Sequence, residues 1–146
     1  FAVTIAFLFV AVSFLVLRRT EPDMPRPFRV SHPNLANHPN HDLAKELLPN
    51  GSTAVFSFGI KGGREIGQVF IDRLDLFSNL ANIGDAKSLV IHPASTTHQR
   101  MSVEALEEAG ISEGLIRLSI GIESVDDLIE DLENGFRAAA KALKKS

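Results

Sequence analysis

The stretch LIRLSIGI, residues 115 to 122, alternates without a break. Ile116, Leu118, Ile120 and Ile122 fall on one side, and Leu115, Arg117, Ser119 and Gly121 on the other. Successive side chains of a strand point to opposite faces, so this period sets one face against a core and turns an arginine, a serine and a glycine away from it. A sheet built on this strand is covered by apolar elements on one side, and its second face meets solvent, a ligand or another domain. A guanidinium there suits an anion, because its planar fork donates two parallel hydrogen bonds to a carboxylate. An ordinary exposed arginine on a wet sheet face is the competing reading.

From about Ser31 onward the chain supplies matching pieces. AVFSFGI (54–60) reads as a strand with Phe56, Phe58 and Ile60 on one face, and SLVIH (88–92) as another, ended by Pro93, which has no ladder donor. Ile66, Val69, Phe70, Leu74 and Phe77 recur at helical spacing and predict one long helix from Gly63 to Leu80. A short helix is expected within HPNHDLAKELLPNG behind an Asn40 cap. Another follows Ser102, with Met101 and Leu106 placed as a staple and Gly110 at its C-terminal end. The last helix opens at Ser124, with Asp127 three residues on as in a capping box, and buries Val125, Leu128, Ile129, Leu132, Phe136 and Leu143. Striped helices beside one-sided strands make two layers. Alternating strands and helices leave a parallel sheet open.

The opening run FAVTIAFLFVAVSFLVL carries no charge, and the chain does not begin with methionine, so it reads as a fragment. Seventeen residues lie at the lower limit for crossing about 30 Å of hydrocarbon. A transmembrane helix over 1–17 is the expectation, because a signal peptide would show a basic region before the run and a small-residue cleavage site after it. Arg18, Arg19, Arg26 and Arg29 follow, which would place residues 31–146 in the cytoplasm, with 1–17 as the membrane contact or anchor. Pro22, Pro25 and Pro27 make 18–30 a basic, proline-rich linker. These first thirty residues resemble the tail of an amino-acid permease of the amino acid–polyamine–cation type, which implies one terminal helix of a larger transporter.

The net charge of −3, with both signs interspersed, argues against a nucleic-acid surface. The absence of cysteine removes disulfides, thiolate nucleophiles and zinc–thiolate sites, and fits a reducing compartment. In SLVIHPASTTHQR (88–100), His92 and His98 stand five residues apart across a proline with no third ligand placed beside them. Asp85, His32, His38 and His41 lack the spacing of a metal motif, so no metal is expected. Ser95 lacks the G-x-S-x-G setting of an exposed nucleophile. GIKGGREIG (59–67) fits neither the dinucleotide nor the P-loop spacing and reads as a turn with a helix start.

A second resemblance is far more extensive. HPNHDLAKELLPNG, FSFGIKGG, FSNLANIGDAKSLVIHPASTTH and GISEGLIRLSIGIE, in this order, resemble the C-terminal domain of O-acetylhomoserine sulfhydrylase, of the Cys/Met-metabolism group of pyridoxal-phosphate enzymes, over residues 31–146. The resemblance implies an α+β, two-layer small domain. Its sheet would be mostly antiparallel with helices on one face, and here a hydrophobic helix would precede it. It implies a transferase of sulfur amino-acid metabolism acting on O-acetylhomoserine, with pyridoxal phosphate held by a large domain. That domain, or a homo-oligomer, would be the partner. It assigns the substrate carboxylate to Arg117, with Asn82 and Ile83 beside it, and makes Ser95, Thr97 and His98 a structural edge of the active site that bonds backbone. Neither Lys61 nor Lys87 stands in the Ser/Thr-x-x-Lys-like setting of a Schiff-base lysine, so the chain alone is expected to be inactive. A permease fragment fused to this domain, or a non-catalytic small-molecule binding module, are the alternatives.

Overall fold

In the computed structural model, which describes residues 30–145, the alternating segment becomes β5 (Leu115–Ser119), the middle strand of a five-stranded sheet. The order is β1 (Val30–Ser31), β2 (Val55–Gly59), β5, β4 (Leu89–Ile91) and β3 (Ser78–Asn79). β1–β2, β2–β5 and β5–β4 pair antiparallel, whereas β3 and β4 run parallel, so the sheet is mixed. Val30 opens β1 although the sequence places it in the linker. The expected membrane helix at 1–17 lies outside the described residues, as does the linker up to residue 29. Among the described residues, no helix is long and apolar enough to cross a membrane.

The period-two pattern holds on β5. Ile116 and Leu118 are fully buried and Ile120 nearly so. With Phe56 and Phe58 of β2 and Val90 of β4 they form one apolar face, which α2 (Gly63–Asp72) and α4 (Val125–Leu143) cover through Ile66, Phe70, Ile71, Leu128, Leu132 and Ala139. Phe70 stands edge-on to Phe58 at 5.7 Å between ring centroids and lies 4.8 Å from Phe136. Gly135 of α4 admits that ring, since a methyl group there would sit 2.8 Å from Phe70 Cε2. Full burial of each such phenylalanine stabilises the fold by roughly 2–3 kcal/mol.

Four expectations are corrected. Ile122, which alternation puts on the core face, is 73 % exposed, because β5 ends at Ser119 and the chain turns where Gly121 meets Ala86 and Lys87. The second sheet face is partly a core, for Leu89 and Ile91 of β4 are buried opposite Ser119 and Arg117. Asn40 before α1 (His41–Leu47) and Ser124 before α4 occupy cap positions without a side-chain cap bond. Ser102 before α3 (Val103–Glu108) does accept from the Ala105 amide at 3.2 Å.

The fourth correction concerns α2, which stops at Asp72 rather than Leu80. The carboxylate of Asp131, on α4 and 5 % exposed, accepts the backbone N–H groups of Asp75 (2.8 Å), Leu76 (2.9 Å) and Phe77 (3.2 Å). Three amides that a longer helix would turn back on itself are thus satisfied by one charged acceptor. Leu74 and Phe77 still reach the core, now from a bent connection leading into β3.

His92 closes the other end of β4. It is fully buried. Its Nε2–H donates to the Glu113 carbonyl at 2.6 Å, which leaves Nδ1 to accept from the Ser95 hydroxyl at 2.8 Å. Gly67 of α2 lies against the ring so closely that a side chain there would collide with it. Burial lowers the imidazole pKa, with Arg64 adding to the effect and the Glu113 carbonyl and carboxylate opposing it.

Two outcomes follow from these contacts. Asp131→Ala is expected to lower the urea-unfolding free energy of the chain by roughly 3 kcal/mol, because three amides lose a charged acceptor. Asp75→Ala, which removes only an exposed partner of Arg73, should change it by less than about 0.5 kcal/mol. For His92 the unfolded imidazole titrates near 6.5 and the folded one below that. Between the two values the unfolded state binds a proton that the native state refuses. Stability should therefore be full above about pH 6.5 and decline as the pH falls toward the folded value. In urea titrations at stepped pH, His92→Asn should flatten this slope.

Candidate functional site

Arg117 sits at the centre of β5 on the face turned from α2 and α4, with Ser57 of β2 and Ile91 of β4 as its register partners. Cross-strand partners share a face, so the guanidinium emerges between a small polar residue and a buried aliphatic one. It is half-buried and makes no ion pair with any described residue. One of its donors is committed: Nη2–H reaches the backbone carbonyl of Asn82 at 3.2 Å. The remaining N–H groups leave a parallel pair that can grip a carboxylate.

The segment from Asn79 to Lys87 arches over this face with every residue exposed. Its main chain is tied to β5 and to the turn beyond it. The Gly84 amide donates to Ser119 Oγ at 3.2 Å, and the Ile122 amide donates to the Ala86 carbonyl at 2.9 Å. Next, the Ser88 amide and hydroxyl donate to the two carboxylate oxygens of Glu123 at 2.7 and 2.8 Å. Ser88 Oγ in turn accepts from the Gly121 amide at 2.8 Å. Gly121 has to lack a side chain, since one would run into the Ala86 carbonyl.

Arg117, Asn82 and Ile83 are therefore brought together, although Arg117 meets the Asn82 carbonyl rather than its side-chain amide, and Ile83 is 58 % exposed beside it. The HPASTTH segment meets expectation in part, for Ser95 Oγ reaches the His92 backbone carbonyl at 3.4 Å. Ser95 also bonds the buried His92 ring, and Thr97 Oγ1 and His98 Nδ1 share a hydrogen bond at 2.8 Å in an exposed side-chain pair. Thr96, not among the expected residues, makes a shorter backbone contact, its hydroxyl donating to the same His92 carbonyl at 2.8 Å. Sequence reasoning missed Ser119, Glu123 and Ser88. The available signal for Ser119 was its place two residues from Arg117 on the same strand face.

Metal and cofactor ligation can be judged from the same geometry. Among the described residues no group of three or more His, Cys, Asp or Glu could hold a metal ion. Lys45, Lys61, Lys87, Lys141, Lys144 and Lys145 are all exposed, so none is enclosed as a Schiff-base lysine must be. The GIKGGREIG segment forms a turn, with Gly62 and Gly63 at φ +95° and +63°, and opens α2. These residues do not make a pyridoxal-phosphate site.

Comparison with known proteins places the chain in a family. A family profile for the Cys/Met metabolism PLP-dependent enzymes matches residues 21–137, beginning ten residues before the expected domain boundary. O-acetyl-L-homoserine sulfhydrylase 1 of Thermus thermophilus is 46 % identical over 114 residues, covering 78 % of this chain and 27 % of the relative. L-methionine gamma-lyase of Fusobacterium nucleatum subsp. polymorphum is 44 % identical over 112 residues, covering 77 % and 28 %. The crystal structure of cystathionine gamma synthase from Xanthomonas oryzae pv. oryzae in complex with cystathionine superposes with a TM-score of 0.75 at 39 % identity. That match covers 97 % of this chain and 34 % of the other. The chain thus spans about a quarter of the length of these curated relatives. With the family profile matched across most of its length, the chain belongs to the Cys/Met metabolism family of PLP-dependent enzymes.

Proposed function

We propose that this chain acts as the substrate-binding small domain of an O-acetylhomoserine sulfhydrylase-like transferase of sulfur amino-acid metabolism, in which Arg117 holds the α-carboxylate of the amino-acid substrate. The observation that carries the reading is a half-buried guanidinium at the middle of the central strand, oriented by the Asn82 carbonyl and without a carboxylate of its own among the described residues. Holding a cation in such a place is costly unless an anion meets it. Asn82 and Ile83 border the carboxylate, and Ser95, Thr97 and His98 form a structural edge. The cofactor and its lysine belong to a large domain, which with the substrate, or a second copy of the enzyme, is the partner this role requires. The cytoplasmic setting expected for residues 31–146 is part of the same proposal.

Within this role the chain binds and orients. Two parallel hydrogen bonds from Arg117 fix both the position and the plane of the substrate carboxylate, and so the direction in which the rest of the amino acid points. The test joins residues 21–146 to the large domain of the T. thermophilus sulfhydrylase and compares Arg117→Lys and Arg117→Ala. In the alanine variant kcat/KM for O-acetylhomoserine should fall by roughly 10²-fold or more, and lysine should restore little, because it keeps the charge without the fork. If both folded variants keep near-parental kcat/KM, the carboxylate assignment is wrong.

A further inference from the structure

We propose that Ser119 is a positioning residue for this site. By anchoring the exposed arch to β5, it holds the Asn82 carbonyl where that carbonyl orients Arg117. The inference rests on the carboxylate-binding reading of Arg117. Ser119 is 2 % exposed and lies two residues beyond Arg117 on the same strand face, one pleat repeat of about 7 Å along the sheet. The two side chains engage backbone groups two residues apart on the arch and of opposite polarity. Arg117 donates to the carbonyl of Asn82, and Ser119 accepts the amide of Gly84. Because every side chain from Asn79 to Lys87 is exposed, hydrogen bonds rather than packing hold this segment: the Leu80 amide donates to the Val90 carbonyl at one end and the Ala86 carbonyl accepts from Ile122 at the other, and between them the Arg117 and Ser119 side chains are its ties to β5. Gly84, at φ +72°, allows the turn that lies between them and Ala86.

Removal of the Ser119 hydroxyl would therefore leave Arg117 in place on its strand but release the carbonyl that directs it. Carboxylate binding would weaken, and the chemical step after binding would not change. Two measurements on Ser119→Ala test this. In the full chain, amide hydrogen exchange should speed up at Gly84 while Val90 and Leu118 keep their protection, because the substitution removes one oxygen without disturbing the core. In the joined enzyme, KM for O-acetylhomoserine should rise about fivefold with kcat within about twofold of the parent. Unchanged exchange at Gly84, or a parental KM, would overturn the proposal, as would a loss confined to kcat. Arg117→Ala measured alongside separates the two readings. If that variant loses activity while Ser119→Ala does not, the positioning role fails alone. If Arg117→Ala is also silent, the carboxylate reading fails with it.

Discussion

The two-residue period of β5 is the constraint on which the rest of the domain depends. Both neighbours take their register from it: Phe56 on β2 and Val90 on β4 meet across Leu118. A slip by one residue would carry Arg117 and Ser119 beneath α2 and α4 and push Ile116, Leu118 and Ile120 to the opposite face. Each of those aliphatic side chains contributes roughly 2 kcal/mol through burial, and an unpaired guanidinium in their place would add several kcal/mol of desolvation. The energy that makes the core thus also aims the arginine. Core and site are two readings of one strand.

The helical layer meets the sheet through a second device of a different kind. Asp131 projects from α4 among its apolar neighbours Leu128 and Leu132 and gathers the amides of residues 75 to 77. A buried carboxylate is costly unless its lone pairs are filled, and here they are filled by backbone donors that would otherwise be left unsatisfied. The chain leaving α2 is thereby turned toward β3, from which the arch begins. The path of the segment that crosses the functional face is set by a residue on the opposite layer.

Local features were legible in the sequence, and those that depend on distant partners were not. The strand faces of β2 and β5, the Ser102 cap and the left-handed Gly110 at φ +71° follow from nearest neighbours, and each is present. The overlong α2 arose because Leu74 and Phe77 do point inward at helical spacing, while the carboxylate that unwinds them lies more than fifty residues away. β3 has two residues and shows no period, so its parallel pairing with β4 left no trace. Arg117 could be placed on the outward face from alternation alone, but its role came from resemblance to a family. Its contact with a main-chain oxygen had no sequence signal at all.

The arch above Arg117 is fastened by main-chain atoms: the carbonyls of Asn82 and Ala86 and the amides of Gly84 and Ser88. Such attachments do not depend on which side chains the residues carry. Positions 81 to 83 can therefore change without altering the shape of the segment that presents them, whereas Gly84 has a backbone conformation that disfavours any side chain and the Asp85 carboxylate accepts the Lys87 amide at 3.1 Å. In evolutionary terms, side-chain variation along this exposed face is uncoupled from foldability, so a lineage can try new side chains there without first finding a new loop.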